Sequence, residues 1–313
     1  GLPKEANRFF RAQVFLHFVQ DENCSINTED FLRFVQRSVD VESMLLQLSS
    51  FSTQAHDTGL ITEAEMESFM LKLIPQIPIL RDMHESFKPF YAITACRRFF
   101  FLLDMRRRGE TALRTLCASS PMEELMFLKR VTRFTKGVGE NHGIGGLPDE
   151  IQEQLNANWF YPDNALKQYR TYLNLDRDQQ GSLTRADILE VQGENGGLQL
   201  SYLTVDRLFE ECQIYCASDD GGRSERGMDY TGFLDLILAV EHRESFQGVG
   251  YFWRILDIER TGKLTPTTII QFYRSIKVAL EEHGYGAPSE DDVVQEVYDM
   301  IGLPLSSLSS FLV

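Results

Sequence analysis

Asp176-Arg177-Asp178-Gln179-Gln180-Gly181-Ser182-Leu183-Thr184-Arg185-Ala186-Asp187 is the stretch that decides how this chain is read. An EF-hand calcium loop needs oxygens at positions 1, 3, 5, 7, 9 and 12, a glycine turn at position 6 and an apolar residue at position 8. Asp176, Asp178, Gln180, Ser182 (through its backbone carbonyl), Thr184 and Asp187 fill the oxygen places. Gly181 supplies the turn and Leu183 the inward apolar position.

The register fits better than the chemistry. Asp187 stands where Glu is usual, and a carboxylate one methylene shorter reaches an ion with one oxygen, which favours six-coordinate Mg²⁺ or weakly held Ca²⁺. Gln180 offers a neutral oxygen. Two readings stand side by side: a weak Ca²⁺ loop with Mg²⁺ as the alternative, and a loop that keeps its shape through its own hydrogen bonds and binds nothing.

Working outward, the same outline recurs. Asp104, Asp176 and Asp257 are each preceded directly by Leu (Leu103, Leu175, Leu256) and four residues earlier by an aromatic (Phe100, Tyr172, Trp253). Five residues after each stands a glycine: Gly109, Gly181, Gly262. The Asp104 loop carries Arg106 and Arg108 at positions 3 and 5, which repels a cation. The Asp257 loop has Asp257, Glu259 and Thr261 as a weaker second ion site, but Thr268 at position 12 and an intervening Pro266. A fourth outline, Gln54 to Glu65, keeps Gly59, Leu60-Ile61 and the final Glu but has lost the leading acids at Gln54 and His56, and it reads as scaffold. EF-hands pair through their loops, so Asp229 to Asp235, following Asp219-Asp220-Gly221-Gly222, reads as the exiting helix of the partner to the Asp176 hand.

The expected fold is therefore all-α: an elongated array of paired EF-hands, several degenerate, with short loop–loop strand pairings. Residues 1–136 are expected to form an N-terminal degenerate EF-hand-like helical domain and 137–152 a glycine-rich linker around Gly137 to Gly146. Residues 153–313 are expected to form a C-terminal EF-hand domain with hands near 176–187 and 257–268. Gln192 to Gly197 reads as a loop between paired hands and Asp291 to Met300 as a final amphipathic helix.

Composition narrows the function. A net charge of −15 over 313 residues argues against nucleic-acid binding, which needs a basic excess. No stretch is long and apolar enough to span a membrane, no signal peptide is visible, and a start at Gly1 rather than Met is what a fragment would show. Cys24, Cys96, Cys117, Cys212 and Cys216 make neither CxxC pairs nor zinc spacing, which suits reducing cytosol. The six histidines are scattered, no nucleophile elbow occurs, and acidic pairs such as Glu123-Glu124 read as solvated helix faces, so no catalytic residues are expected. Arg106-Arg107-Arg108 reads as a solvated tip or a contact for an acidic partner.

A further succession of segments points to a family. Glu65-Met66-Glu67-Ser68-Phe69, Leu73-Ile74-Pro75 and Leu80-Arg81-Asp82-Met83 lead to Phe99-Phe100-Phe101-Leu102-Leu103-Asp104 and Arg107-Arg108-Gly109. Asn158-Trp159-Phe160, Leu173-Asn174-Leu175-Asp176, Met228-Asp229-Tyr230, Leu238-Ala239-Val240-Glu241, Leu256-Asp257 and Tyr298-Asp299-Met300 follow in order. Over residues 50–302 this resembles the B'' regulatory subunits of protein phosphatase 2A, in the gamma-type branch that includes the plant FASS protein. The resemblance implies a non-catalytic subunit that docks on the phosphatase scaffold subunit and directs the catalytic subunit to substrates. It also implies calcium-tuned EF-hands at Asp176, Asp178, Gln180, Ser182 and Asp187 and at Asp257, Glu259 and Thr261. For this branch it further implies cytoplasmic work among microtubule-associated proteins at centrosomes, basal bodies, cortical arrays or cilia. The alternative is a structural EF-hand protein of such an assembly, without phosphatase activity.

Overall fold

The computed structural model describes residues 4–53, 58–135, 148–190, 200–211, 227–282 and 284–300. The Gly137–Gly146 stretch, the Gln192–Gly197 loop, Cys212, Cys216, Asp219 to Gly222, Gln54 and His56 lie outside them. Among the described residues the chain is helical, with one two-stranded antiparallel sheet and two isolated bridges. The all-α expectation, with strand pairing confined to short loop contacts, is what the structure has. The chain forms two compact units, Gly1–Leu166 and Lys167–Val313.

In the first unit the helices are α1 (Ala12–Phe15), α2 (Thr28–Ser49), α3 (Glu63–Leu73), α4 (Pro78–Arg81), α5 (Lys88–Leu103), α6 (Leu113–Cys117), α7 (Ser120–Thr135) and α8 (Asp149–Asn156). The sheet pairs β1 (Leu60–Thr62) with β2 (Glu110–Ala112), Ile61 opposite Thr111. These strands are positions 7 to 9 of the Gln54 and Asp104 loops, so the two hands pair as EF-hands do. Thr62 starts α3 through a capping box: its hydroxyl accepts from the Glu65 N–H at 3.4 Å and the Glu65 carboxylate accepts from the Thr62 N–H at 2.9 Å. Met66, Phe69, Met70 and Leu73 then fall on one buried stripe of α3 and meet α5, where Ala95, Cys96, Phe99 and Phe100 are buried. Each large side chain removed from water there contributes about 1.5–3 kcal/mol.

Residues 153–166, expected at the head of the second domain, sit in the first unit. The Asn158 side-chain amide donates to the Glu124 carbonyl at 2.8 Å, the Trp159 indole to the Thr94 carbonyl at 3.0 Å, and the buried Tyr91 hydroxyl to the Phe160 carbonyl at 2.7 Å. Buried polar atoms that find partners only this way hold the segment firmly.

The second unit carries α9 (Pro162–Leu175), within which the division falls, α10 (Arg185–Leu189), α11 (Tyr202–Glu211), α12 (Tyr230–Glu241), α13 (Phe246–Leu256), α14 (Pro266–Glu282) and α15 (Glu290–Met300). Its centre is aromatic. The Tyr172 ring lies 5.1 Å from that of Tyr230 and 5.6 Å from that of Phe233, joining the end of α9 to α12. Ser245 caps α13 by accepting from the Gly248 N–H at 3.1 Å, and a Cβ on Gly248 would lie 2.1 Å from the His242 carbonyl oxygen. Only glycine permits so tight an entry. Ile269, Val294 and Tyr298 close a smaller core between α14 and α15, against Leu264.

Candidate functional site

The loops opened by Asp104, Asp176 and Asp257 share one backbone course. Each Asp N–H still donates to the aromatic residue four back, Phe100, Tyr172 or Trp253, at 2.9, 3.0 and 2.8 Å. At position 4, Arg107, Gln179 and Arg260 take left-handed φ of 51°, 55° and 54°. At position 6, Gly109, Gly181 and Gly262 take φ of 72°, 74° and 71°, a region that costs glycine little and other residues more. The Asp carboxylate then folds back on its own loop. Oδ2 of Asp104, Asp176 and Asp257 accepts from the Gly109, Gly181 and Gly262 N–H at 2.7, 2.9 and 2.8 Å. Oδ1 of Asp176 accepts from Gln180 at 3.0 Å and Oδ1 of Asp257 from Thr261 at 2.9 Å.

In the Asp176 loop, Asp176 is buried at 4% exposure, Asp178 and Gln180 are exposed and Ser182 is half-buried. Asp187 Oδ2 accepts from both the N–H and the hydroxyl of Thr184, each at 2.7 Å, and the Asp187 N–H returns to the Thr184 hydroxyl at 3.3 Å. Position 12 is thus the far half of a capping box on α10. Leu183 is buried and exchanges backbone bonds with Met228 at 2.7 and 2.8 Å. Met228 therefore takes position 8 of the partner loop, Asp229 caps α12, and α12 is the exiting helix expected for that hand.

In the Asp257 loop, Glu259 is exposed and the Thr261 hydroxyl accepts from the Lys263 N–H at 3.3 Å. Thr268, buried, shares a 3.0 Å hydroxyl contact with Thr265 and brings no carboxylate. Among the described residues no three His, Cys, Asp or Glu side chains sit together as a metal-holding set.

Sequence reasoning missed how positions 9 and 12 are used. Thr62/Glu65, Thr184/Asp187 and Thr265/Thr268 all place position 9 at the N-cap, with position 12 one turn in. The signal was present as Thr-x-x-Glu and Thr-x-x-Asp, the spacing of a capping box. At Glu65 the effect is strong: partial desolvation raises its pKa, but hydrogen bonds from Thr53 and Thr62 outweigh that and hold it at about 2.

No protein-family profile matches the chain. The gamma-type B'' regulatory subunit of serine/threonine-protein phosphatase 2A from Xenopus tropicalis is 31% identical over 299 residues, spanning 95% of this chain and 60% of that protein. The gamma-type B'' protein of Homo sapiens is 31% identical over 298 residues, spanning 95% and 59%. The chain is a homologue of the B'' regulatory subunits of protein phosphatase 2A. The probable B'' protein TON2 of Arabidopsis thaliana is also similar, 29% identical over 95% of this chain and 57% of its own length. The B'' homologue thus spans about 60% of the length of the curated relatives it matches. A solved chain of a PP2A PR70 holoenzyme shares the fold with a TM-score of 0.57 at 17% identity, covering 80% of this chain and 82% of that one.

For the B'' homologue the paired loops fix the angles at which helices leave each hand. The Leu183–Met228 bridge and the Ile61–Thr111 register are the backbone pairings that tie each loop to its partner. Among its described residues no helix is long and apolar enough to cross a membrane.

Proposed function

We propose that this chain acts as a non-catalytic regulatory subunit of protein phosphatase 2A, docking on the scaffold subunit and bringing the catalytic subunit to cytoskeletal, microtubule-associated substrates. The observation that carries the reading is identity of about 31% to gamma-type B'' proteins running through 95% of the chain rather than through one hand. The fold shared with a PP2A PR70 holoenzyme chain supports it at the level of architecture. The test is co-purification of the tagged chain from cell extract: scaffold and catalytic subunits are expected to come down together, and their absence under gentle conditions would sink the reading. A structural EF-hand protein of a centrosomal, cortical or ciliary array is the second reading, favoured by loops that satisfy their own polar groups. Recovery of the chain in detergent-resistant cytoskeleton without phosphatase would select it.

Asp176, Asp178, Gln180, the Ser182 carbonyl and Asp187 are the residues that would hold a Ca²⁺ or Mg²⁺ ion, with Asp257, Glu259 and Thr261 as the weaker set. Asp187 Oδ2 is already taken by the two Thr184 bonds, which leaves Oδ1 alone for an ion, so affinity is expected in the millimolar range of weak EF modules. A bound ion would stabilise the second unit by linkage. Thermal melts with and without millimolar Ca²⁺ should show an increase for wild type that Asp176→Ala abolishes; an equal increase in both would exclude this loop as the site.

A further inference from the structure

The Asp104 loop inverts the charge of an EF-hand. Positions 3 and 5, from which a metal loop sends two oxygen ligands to one point, here carry Arg106 and Arg108, and Arg114 follows at position 11. Across Asp104 to Thr115 four arginines face two acids, in a chain whose net charge is −15. One of those acids, Asp104, is buried at 8% exposure and committed to the Gly109 N–H. Arg106, Arg108 and Arg114 are exposed, and none has a carboxylate partner among the described residues. Exposed Arg177, Arg260 and Arg274 each have a carboxylate oxygen within 2.5 to 2.9 Å, whereas exposed Arg11, Arg81, Arg170 and Arg243 stand singly without one among the described residues; the Asp104 loop differs in setting three such arginines within nine residues.

We propose that this loop is a docking site for a carboxylate-rich segment of a partner protein, with Arg106 and Arg108 as its two-pronged contact and Arg114 at its margin. Guanidinium groups pair with carboxylates through two parallel hydrogen bonds, so adjacent arginines favour successive Asp or Glu residues. The loop is ready for such a guest. Its tip is fixed by the Arg107 and Gly109 conformations and the Asp104–Gly109 bond, and its far end by the β1–β2 pairing. Little order is lost on binding. Met105, 43% exposed beside the arginines, adds an apolar contact. A long polyphosphate would be repelled by the surrounding negative field, whereas a short acidic segment meets it only at the tip. This site goes beyond the phosphatase reading and does not depend on it.

The experiment is fluorescence polarisation of a labelled peptide with about four successive Asp and Glu residues flanked by Gly and Ser, against the full chain at low salt. Wild type should bind, with affinity falling as salt rises. Arg106→Gln/Arg108→Gln should bind roughly tenfold more weakly, while Arg274→Gln, which removes an already paired charge, should leave affinity unchanged. Circular dichroism confirms that each variant is folded, and Arg108→Gln alone decides the matter if the double variant is not. No binding by wild type, equal weakening by Arg274→Gln, or binding of a single-stranded oligonucleotide in place of the peptide overturns the proposal.

Discussion

Glu65 receives four hydrogen bonds: the N–H and hydroxyl of Thr53 on one oxygen, both at 2.8 Å, and the N–H and hydroxyl of Thr62 on the other, at 2.9 and 3.0 Å. Partial desolvation raises its pKa, yet these bonds favour the charged form and bring it down from 4.5 to about 2. A folded-state pKa below the unfolded one means stability that is present above about pH 4.5 and lost as pH falls toward 2. Glu65→Gln keeps the shape and removes the charge, so it should destabilise the first unit at pH 7 by roughly 1 kcal/mol after allowing for solvent screening. Urea unfolding at several pH values checks this: the gap to wild type should close between pH 4.5 and pH 2, and a gap that persists unchanged counts against it. Tyr172 poses the opposite case. Its hydroxyl is buried with no hydrogen-bond partner among the described residues, and burial raises its pKa. Tyr172→Phe retains the ring contacts and should raise stability by about 1 kcal/mol, read as a higher urea midpoint at unchanged slope.

At the scale of elements, the entry to α13 separates backbone fit from helix propensity. Gly248 and Gly250 lie on the same helix, and by propensity alone alanine would improve both by roughly 0.5–1 kcal/mol. Gly248 has the His242 carbonyl 2.1 Å from where a Cβ would stand, whereas Gly250 has open space. Gly248→Ala should therefore cost about 2 kcal/mol or more while Gly250→Ala stabilises; thermal melts of the pair decide, and like-signed shifts would refute the packing argument. The same contrast explains what was legible in the sequence. The Asp–Gly spacing of the three hands was readable because position 6 needs φ > 0, a local demand that glycine meets and the sequence displays. The partner of the Asp176 hand was readable from Asp229 onward because N-caps are also local. The seating of residues 153–166 was not, since the partners of Asn158 and Trp159 are Glu124 and Thr94, far away in sequence. The dual use of Thr184 and Asp187 was obscured because EF positions 9 and 12 coincide with the two ends of a capping box.

At the scale of the whole molecule, a chain with net charge −15 has two compact units, and its thiols offer a way to watch one unit alone. Cys96 and Cys117 are both buried in the first unit. Burial pushes the Cys117 thiol up to about 12 and raises Cys96 well above its ordinary range, with the neighbouring Glu67 and Glu63 charges adding to the second. Since the thiolate is the reactive form, both should be inert at neutral pH while the unit is folded, for want of access as well as of ionisation. Replacing Cys24, Cys212 and Cys216 by Ser leaves those two as the only thiols. Labelling with a chromogenic disulfide at pH 7.5 should then be negligible in native protein and complete above the unfolding midpoint in urea. In between, the rate should follow the population of open first unit, so Glu65→Gln, which acts in that unit, should accelerate labelling several-fold. Gly248→Ala, in the other unit, should not. Equal acceleration by both would mean that the two units open as one cooperative body; rapid labelling of the native protein would mean that the α3–α5 core is looser than its buried side chains imply.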